Sequence, residues 1–84
     1  MPTSSFKIRL FSVLKSKLKV ASIELKTTEE ITAGGLMDLA CEQYPPMAPY
    51  RSIMRLAVNQ KYVQDSNRLQ DGDEIAIITP VSGG

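Results

Sequence analysis

The sequence contains no histidine and no tryptophan, and its one cysteine is Cys41. Without histidine there can be no Ser-His-Asp triad, no Cys-His pair and no imidazole ligand for zinc. One cysteine cannot form an internal disulfide, so nothing indicates a secreted, disulfide-stabilised scaffold. A chain of 84 residues builds one modest core and no deep enclosed cavity. We therefore do not expect an enzyme that acts on its own, and no metal site is predicted.

Long hydrophobic runs are also missing. The longest uninterrupted aliphatic stretch covers 75–78, far short of the roughly 20 residues that cross a bilayer. Residues 1–5 have no basic start followed by an apolar run, as a secretory signal would. We expect a cytoplasmic protein that does not bind membranes.

The net charge of +1 conceals an asymmetry, because residues 1–26 carry +5 and residues 27–84 carry −4. The cluster Lys15, Lys17 and Lys19 is typical either of an acidic-partner contact or, more commonly, of a solvated loop. Aromatic residues do not alternate with these lysines, as a base-stacking surface requires, so nucleic acid is not an expected partner.

The hydrophobic pattern predicts five strands. Residues 6–10 alternate apolar and basic side chains, and a basic turn of about seven residues leads to a second alternating segment at 20–26, which favours an antiparallel hairpin. Further strands are predicted at 55–59, 62–63 and 74–79, with a proline-rich loop at 45–53. The dipeptide Asp71-Gly72 predicts a turn before the last strand.

One helix is predicted at 33–43, where apolar residues recur at three- and four-residue spacing. Thr32 is the expected N-cap, although Thr27 and Glu30 also fit a capping box, and Pro45-Pro46 ends the helix. Gly34 and Gly35 are unusual in a first helical turn, since each weakens it by up to about 1 kcal/mol.

The order β-β-α-β-β-β indicates an α+β fold, the ubiquitin-like β-grasp, with a mixed sheet of about five strands packed on one main helix. The first and last strands would lie side by side at the sheet centre. We expect a single domain over 1–84, with 79–84 as a protruding tail.

The sequence ends in Gly83-Gly84, directly after a strand, with Pro80 stiffening the first step. An ordinary frayed tail is one interpretation. In the other, the terminal carboxylate is the reactive group: it is ionised and a poor electrophile until adenylated. Glycine, without a side chain, then allows the backbone to enter a narrow channel.

A surface that could dock such a tail is predicted beside it. Phe11 falls on the strand face of Lys7 and Arg9, and Ile78 is out of phase with Ile75 and Ile77. If the first and last strands are neighbours, Phe11 and Ile78 meet on the face away from the helix. Isolated exposed apolar residues are also common, so the pattern alone leaves both interpretations open.

Several motifs together resemble the MoaD/ThiS family of sulfur carriers over residues 6–84: the strand order, 56–59 with Tyr62-Val63, 71–78, and the ending 80–84. The ending is most similar to that of molybdopterin synthase small subunits. The sequence departs from the family in having Thr79, where a second proline is common, and a lysine-rich segment at 13–17.

The resemblance implies a sulfur carrier of molybdenum cofactor biosynthesis. Gly84 would be adenylated by an E1-like adenylyltransferase that uses MgATP, and then converted to a thiocarboxylate with sulfur from a donor protein. The sulfur would pass to cyclic pyranopterin monophosphate in the large subunit of molybdopterin synthase. No cofactor would be bound permanently. Gly83 and Gly84 would enter the partner's site, and Thr79, Pro80, Val81 and Ser82 would line the route.

Other functions remain open at this point. A related carrier could serve thiazole synthesis or tRNA thiolation, a ubiquitin-like modifier could be joined to proteins through Gly84, and an interaction domain could have an inert tail. Cys41 is expected to be a packing residue, and Asp71, Asp73 and Glu74 are expected to belong to a turn.

Overall fold

Five strands form one mixed sheet in the computed structural model, which describes residues 3–79. The sheet has the order β2-β1-β5-β3-β4. Its strands are β1 (Ser4–Leu10), β2 (Ser22–Thr27), β3 (Arg55–Val58), β4 (Lys61–Tyr62) and β5 (Ile75–Ile78). The predicted β-grasp sheet is confirmed, with strand ends shifted by one or two residues.

The parallel pair β1 and β5 lies inside the sheet, as predicted. Ile8 lies beside Ile75 and Leu10 beside Ile77. On the outer sides, β1 pairs antiparallel with β2 and β5 pairs antiparallel with β3. The two halves of the chain are therefore joined through β5, which is hydrogen-bonded on both sides.

Alternation along the strands directs one set of side chains toward the main helix, α2 (Ala33–Gln43). In β5 the pattern is buried, half-buried, buried, half-buried, so Ile75 and Ile77 face the core. The core contains mainly aliphatic side chains, with large fully buried members Phe6, Ile8, Leu14, Leu25, Leu36, Met37, Met47, Leu56, Ile75 and Ile77. The other face of the sheet has no helix packed on it within the described elements.

The start of α2 is fixed by hydrogen bonds to its free amides. Thr32 is the N-cap, as predicted, because its Oγ1 accepts from the Gly35 amide at 3.1 Å. The amides of Ala33 and Gly34 donate to the carbonyls of Asn67 and Asp65 at 2.8 and 2.9 Å. The helix terminus is thus satisfied by a neighbouring loop as well as by its own cap.

Gly34 is required by the same contact. A Cβ added at this position would lie 2.9 Å from the Cβ of Asp65, closer than real side chains approach. A Cβ at Gly35 would meet only side-chain atoms of Ile31 and Thr32, at 3.1 and 3.3 Å. Gly34, unusual in a first helical turn, therefore admits the loop at 65–69.

The predicted basic turn after β1 is wrong, because Ser12–Leu18 forms a short helix, α1. Leu14 is fully buried, and Val13 and Leu18 pack against the core, while Lys15 and Lys17 remain exposed. The segment is amphipathic at helical spacing. Seven residues are too few for this spacing to be recognised, so its lysines favoured the prediction of a turn.

The predicted proline-rich loop is also wrong, because Pro45–Ile53 forms a 3₁₀ helix. Met47 is its buried anchor. Proline fits the first turn, where an amide has no intrahelical partner.

Arg51 connects three separate segments. Its Nε donates to Asp38 Oδ1 on α2 at 2.7 Å, and its Nη2 lies 3.5 Å from Asp65 Oδ2 in the loop. The same nitrogen donates to the Gly34 carbonyl at 3.4 Å. These contacts hold the 3₁₀ helix and the loop at 65–69 against the N-terminal half of α2.

Replacement of Leu56 by alanine tests the core. Because Leu56 is buried against α2, Leu56→Ala should lower the free energy of unfolding by about 2–5 kcal/mol. The matched control is Ile53→Ala, since Ile53 is 49% exposed. This control should change stability by less than about 0.5 kcal/mol in urea denaturation. Equal effects would contradict the assignment of the core.

The glycine pair can be tested by two alanine variants. Alanine is the better helix former, so propensity alone predicts stabilisation at both positions. We expect Gly34→Ala instead to destabilise the domain by about 1–3 kcal/mol, because its methyl group collides with Asp65. Gly35→Ala should be clearly less harmful, since flexible side chains can move aside. Chemical denaturation measures both, and the reverse order would refute the close approach of the loop.

Candidate functional site: the open face of the sheet

The face of the sheet away from α2 carries a groove of about 290 Å³, called here the open-face groove. Strands β1, β3, β4 and β5 all contribute to it. The lining residues are Arg9, Phe11, Ala57, Gln60, Tyr62, Glu74, Ala76 and Ile78. The floor is apolar, and charged groups lie along one side.

Phe11 and Ile78 both line this groove, as the sequence predicts. Phe11 continues β1 in an extended conformation, with φ −135° and ψ 161°, one residue beyond the pair Leu10 and Ile77. It is 39% exposed, and Ile78 is half-buried. The parallel register thus places two apolar side chains together at the end of β5.

Arg9 sets the charge of the groove. Its guanidinium lies 5.8 Å from the centre of the Phe11 ring, within the range of a cation–π contact. Its Nη1 is 3.9 Å from Glu74 Oε1. Arg55 lies directly opposite Ile78 in the β3–β5 pair and is exposed. Glu74 partly matches the charge of Arg9, so the cation nearest Ile78 is Arg55, which lies beside the groove and not in its lining. A carboxylate of a partner would be favoured there.

A tight turn closes the groove between β3 and β4. Asn59 and Gln60 have φ values of 52° and 72°, the signature of a type I′ turn. Asn59 suits its position because it forms two hydrogen bonds with Glu74. Its main-chain amide donates to the Glu74 carbonyl at 2.8 Å, and its side-chain Oδ1 accepts from the Glu74 main-chain amide at 3.1 Å. Asn59 is thus a turn residue. Gln60 occupies the position that glycine prefers, and its left-handed backbone costs roughly 1–2 kcal/mol of conformational free energy.

Thr79 follows β5, and its side chain is only 2% exposed. Its Oγ1 has no hydrogen-bond partner among residues 3–79. The resemblance implies that Thr79 lines the route of the tail, but its side chain lies inside the domain. The other predicted tail residues, Pro80, Val81, Ser82, Gly83 and Gly84, lie outside the described residues.

The acidic residues before β5 form a turn. Asp71 Oδ1 accepts from the Ser5 amide at 3.0 Å, which ties the turn to β1. Asp73 Oδ2 accepts from the Gln70 amide at 2.8 Å. Across residues 3–79 no three His, Cys, Asp or Glu side chains converge as metal ligands. Over the same range, none of the helices has the length and hydrophobicity needed to span a membrane.

Cys41 lies on α2, away from the groove, and packs partly against the core. Its Sγ is 3.9 Å from the Met54 sulfur. Burial raises the pKa of the Cys41 thiol; the charge of Arg51 opposes this shift and that of Asp38 adds to it. A thiol with a raised pKa is a poor nucleophile at neutral pH, in agreement with a packing role.

The sequence analysis does not identify four residues that line the groove, which are Ala57, Gln60, Tyr62 and Ala76. Tyr62 is 63% exposed and lies opposite Ala57, which in turn lies opposite Ala76. The alternation of β3 and β5 already places both alanines on the face of Ile78, and this was the available signal. Their small side chains leave space for the groove and leave the Tyr62 ring accessible.

Comparisons with known proteins show the family of this chain. The model of the ThiS family matches residues 8–84. This chain belongs to the ThiS family. Within it, the chain is 36% identical to the molybdopterin synthase sulfur carrier subunit of Arabidopsis thaliana, over 98% of this chain and 88% of that protein.

Solved structures of ThiS-like folds match as well. Small archaeal modifier protein 1 of Haloferax volcanii superposes with a TM-score of 0.81 at 17% identity, covering 93% of this chain and 99% of that one. Subunit 1 and 2 of the molybdopterin-converting factor of Helicobacter pylori were solved as a complex; the matching chain gives a TM-score of 0.66 at 21% identity, over 95% of this chain and 99% of that one. At these identities the likeness establishes the β-grasp fold.

The reactivity of Cys41 provides a test of its environment. Because burial raises its pKa, native protein should react with iodoacetamide at pH 8 more slowly than protein unfolded in urea. Equal or faster labelling of the native protein would contradict a buried thiol.

The same shift has a pH signature in stability. A raised pKa in the folded state favours the neutral thiol. Its stabilising contribution is present below the unfolded pKa of about 8.5 and is lost as the pH rises through the folded value. Relative to Cys41→Ala, wild-type protein should therefore lose extra stability above that pH in urea denaturation. A difference between the two proteins that does not vary with pH would exclude the linkage.

Proposed function

We propose that this chain is a sulfur carrier of molybdenum cofactor biosynthesis, acting as the small, non-catalytic subunit of molybdopterin synthase in the cytoplasm. The observation that carries the proposal is the open-face groove, which brings Phe11 and Ile78 together at the end of β5 where the chain continues into 80–84. Membership of the ThiS family and relatives named molybdopterin synthase sulfur carrier subunits support it.

The reacting group in this proposal is the carboxylate of Gly84 rather than a side chain. An E1-like adenylyltransferase uses MgATP to convert the carboxylate to an acyl-adenylate, which has a good leaving group. Sulfur from a donor protein then replaces AMP and leaves a thiocarboxylate. The large subunit of molybdopterin synthase receives that sulfur for cyclic pyranopterin monophosphate, so this chain needs no permanently bound cofactor.

The groove and the tail have separate roles. Phe11 and Ile78 dock on the partner, and that contact offsets the roughly 1–2 kcal/mol per residue required to order the tail. Pro80, Val81 and Ser82 then line the route, and Gly83 and Gly84 enter the partner's site. Thr79, whose side chain is buried, begins that route through its main chain.

Intact-mass analysis tests the central step. Protein incubated with its activating enzyme, MgATP and a sulfur donor should gain the mass difference of one oxygen replaced by one sulfur. The matched control is a chain that lacks Gly84, which should show no such gain. Failure of the wild-type chain to acquire sulfur would refute the proposal.

The partner recovered with the protein separates the alternatives. The large subunit of molybdopterin synthase supports the proposed pathway, whereas a thiazole synthase or a tRNA-thiolation enzyme places the carrier elsewhere. Isopeptide-linked adducts that disappear on deletion of Gly84 would indicate a modifier, a possibility raised by the similar fold of the archaeal modifier protein.

Docking through the groove can be tested without the chemistry. Phe11→Ala should weaken binding to the large subunit about tenfold or more, because an aromatic anchor is lost from the contact. The control is Val20→Ala, since Val20 is 43% exposed but does not line the groove. Calorimetric titration measures both variants, and equal affinities would exclude the groove as the docking surface.

Stability should be independent of the diglycine. Removal of Gly83 and Gly84 should leave Tm nearly unchanged, because the core described above lies entirely within 6–77. Sulfur loading should nevertheless be abolished. A large fall in Tm, measured by circular dichroism, would mean that the tail is packed against the domain and would contradict the carrier mechanism.

A further inference from the structure

We propose that Gln60 is a specificity-determining contact of the open-face groove, whose carboxamide hydrogen-bonds to a main-chain peptide group of the large subunit. This inference rests on the proposed function, because it names a contact for the same docking surface. Gln60 lies on the β3–β4 turn and not on the strand ends that carry Phe11 and Ile78.

The two-residue turn requires the left-handed backbone at Gln60, but glutamine is not the residue that this position favours. At φ 72° in the second central position of a type I′ turn, an L-residue is disfavoured and glycine is preferred. The neighbouring Asn59 offsets its own strain with hydrogen bonds to Glu74. The Gln60 side chain makes none to residues 3–79. Strain without local compensation is characteristic of functional positions.

The location of Gln60 in the groove offers a reason for a glutamine at this strained position. Its side chain lines the groove together with Phe11, Tyr62 and Ile78. Gln60 is therefore continuous with the apolar surface that the proposed function assigns to docking. A glycine here would relax the turn and leave this edge of the groove without a polar group.

The chemistry of the groove indicates what Gln60 recognises. Arg9 and Glu74 are within ion-pairing distance of each other, so their charges are partly matched within the domain. The carboxamide of Gln60 is neutral and has both donors and an acceptor. That combination matches a peptide group, which has one donor and one acceptor. A polypeptide segment of the partner laid across the groove is the ligand that fits.

Two variants at this position separate strain from recognition. Gln60→Gly should raise Tm by roughly 2–6 °C, since it removes the left-handed strain, yet weaken binding to the large subunit about 3- to 10-fold. Gln60→Ala retains an L-residue, so its Tm should stay near that of the wild type while its affinity falls by a similar factor. Loss of affinity in both variants excludes turn flexibility as the cause.

The matched control is Lys19→Gly. Lys19 also has a left-handed backbone, with φ 59°, at the C-cap of α1, and it does not line the groove. This variant should gain stability and keep wild-type affinity. Thermal melts and calorimetric titration of the full-length chain with the large subunit provide both readouts.

The outcomes distinguish the two proposals. If the wild-type chain binds and either Gln60 variant binds within about twofold of it, the role of Gln60 is overturned and the proposed function stands. Equal loss of affinity in Lys19→Gly would also overturn it, because the effect would not be specific to the groove. If the wild-type chain does not bind the large subunit at all, both proposals fall.

Discussion

The parallel pairing of β1 with β5 is the constraint on which the rest of the structure depends. It fixes Ile8 beside Ile75 and Leu10 beside Ile77, so the alternation of both strands is in phase over α2. The same register places Phe11 next to Ile78 on the opposite face. One set of backbone hydrogen bonds thus determines both the core and the surface that we assign to docking.

Much of this fold could be predicted from the sequence because its main elements are long or strongly patterned. The helix at 33–43 matches the structure at both ends, since Thr32 and Pro45 are strong local signals. The strands were located because apolar residues alternate with Lys, Arg or Glu. The β-grasp order followed from the number and sequence of these elements.

The two errors have a physical cause that local patterns do not show. Ser12–Leu18 is helical because Leu14 reaches the core, and Pro45–Ile53 is helical because Met47 does. In both segments buried side chains anchor the helix to the core, while lysines or prolines dominate the sequence. The need for Gly34 has a similar origin, because it arises from a loop that is 31 residues further along the chain.

The candidate site was predicted in part. Phe11 and Ile78 could be found because they break the alternation of their strands. Gln60 could not, because its importance lies in a backbone angle that no residue pattern reveals. Tyr62 lies on a strand of two residues, which is too short for a face to be assigned from sequence. Their shared groove exists only once the strands are ordered in space.

The internal position of β5 also has a consequence for folding kinetics. Its partner β1 is more than 60 residues away in sequence, as the bond between Ser5 and Asp71 at a separation of 66 illustrates. Long-range closure of this kind slows folding. Until β5 inserts, β1 and β3 each retain an unpaired edge that another chain can join. The pairing of β5 with β1 and β3 completes the surface that we assign to docking. The same pairing removes both unpaired edges, and with them the greatest risk of aggregation.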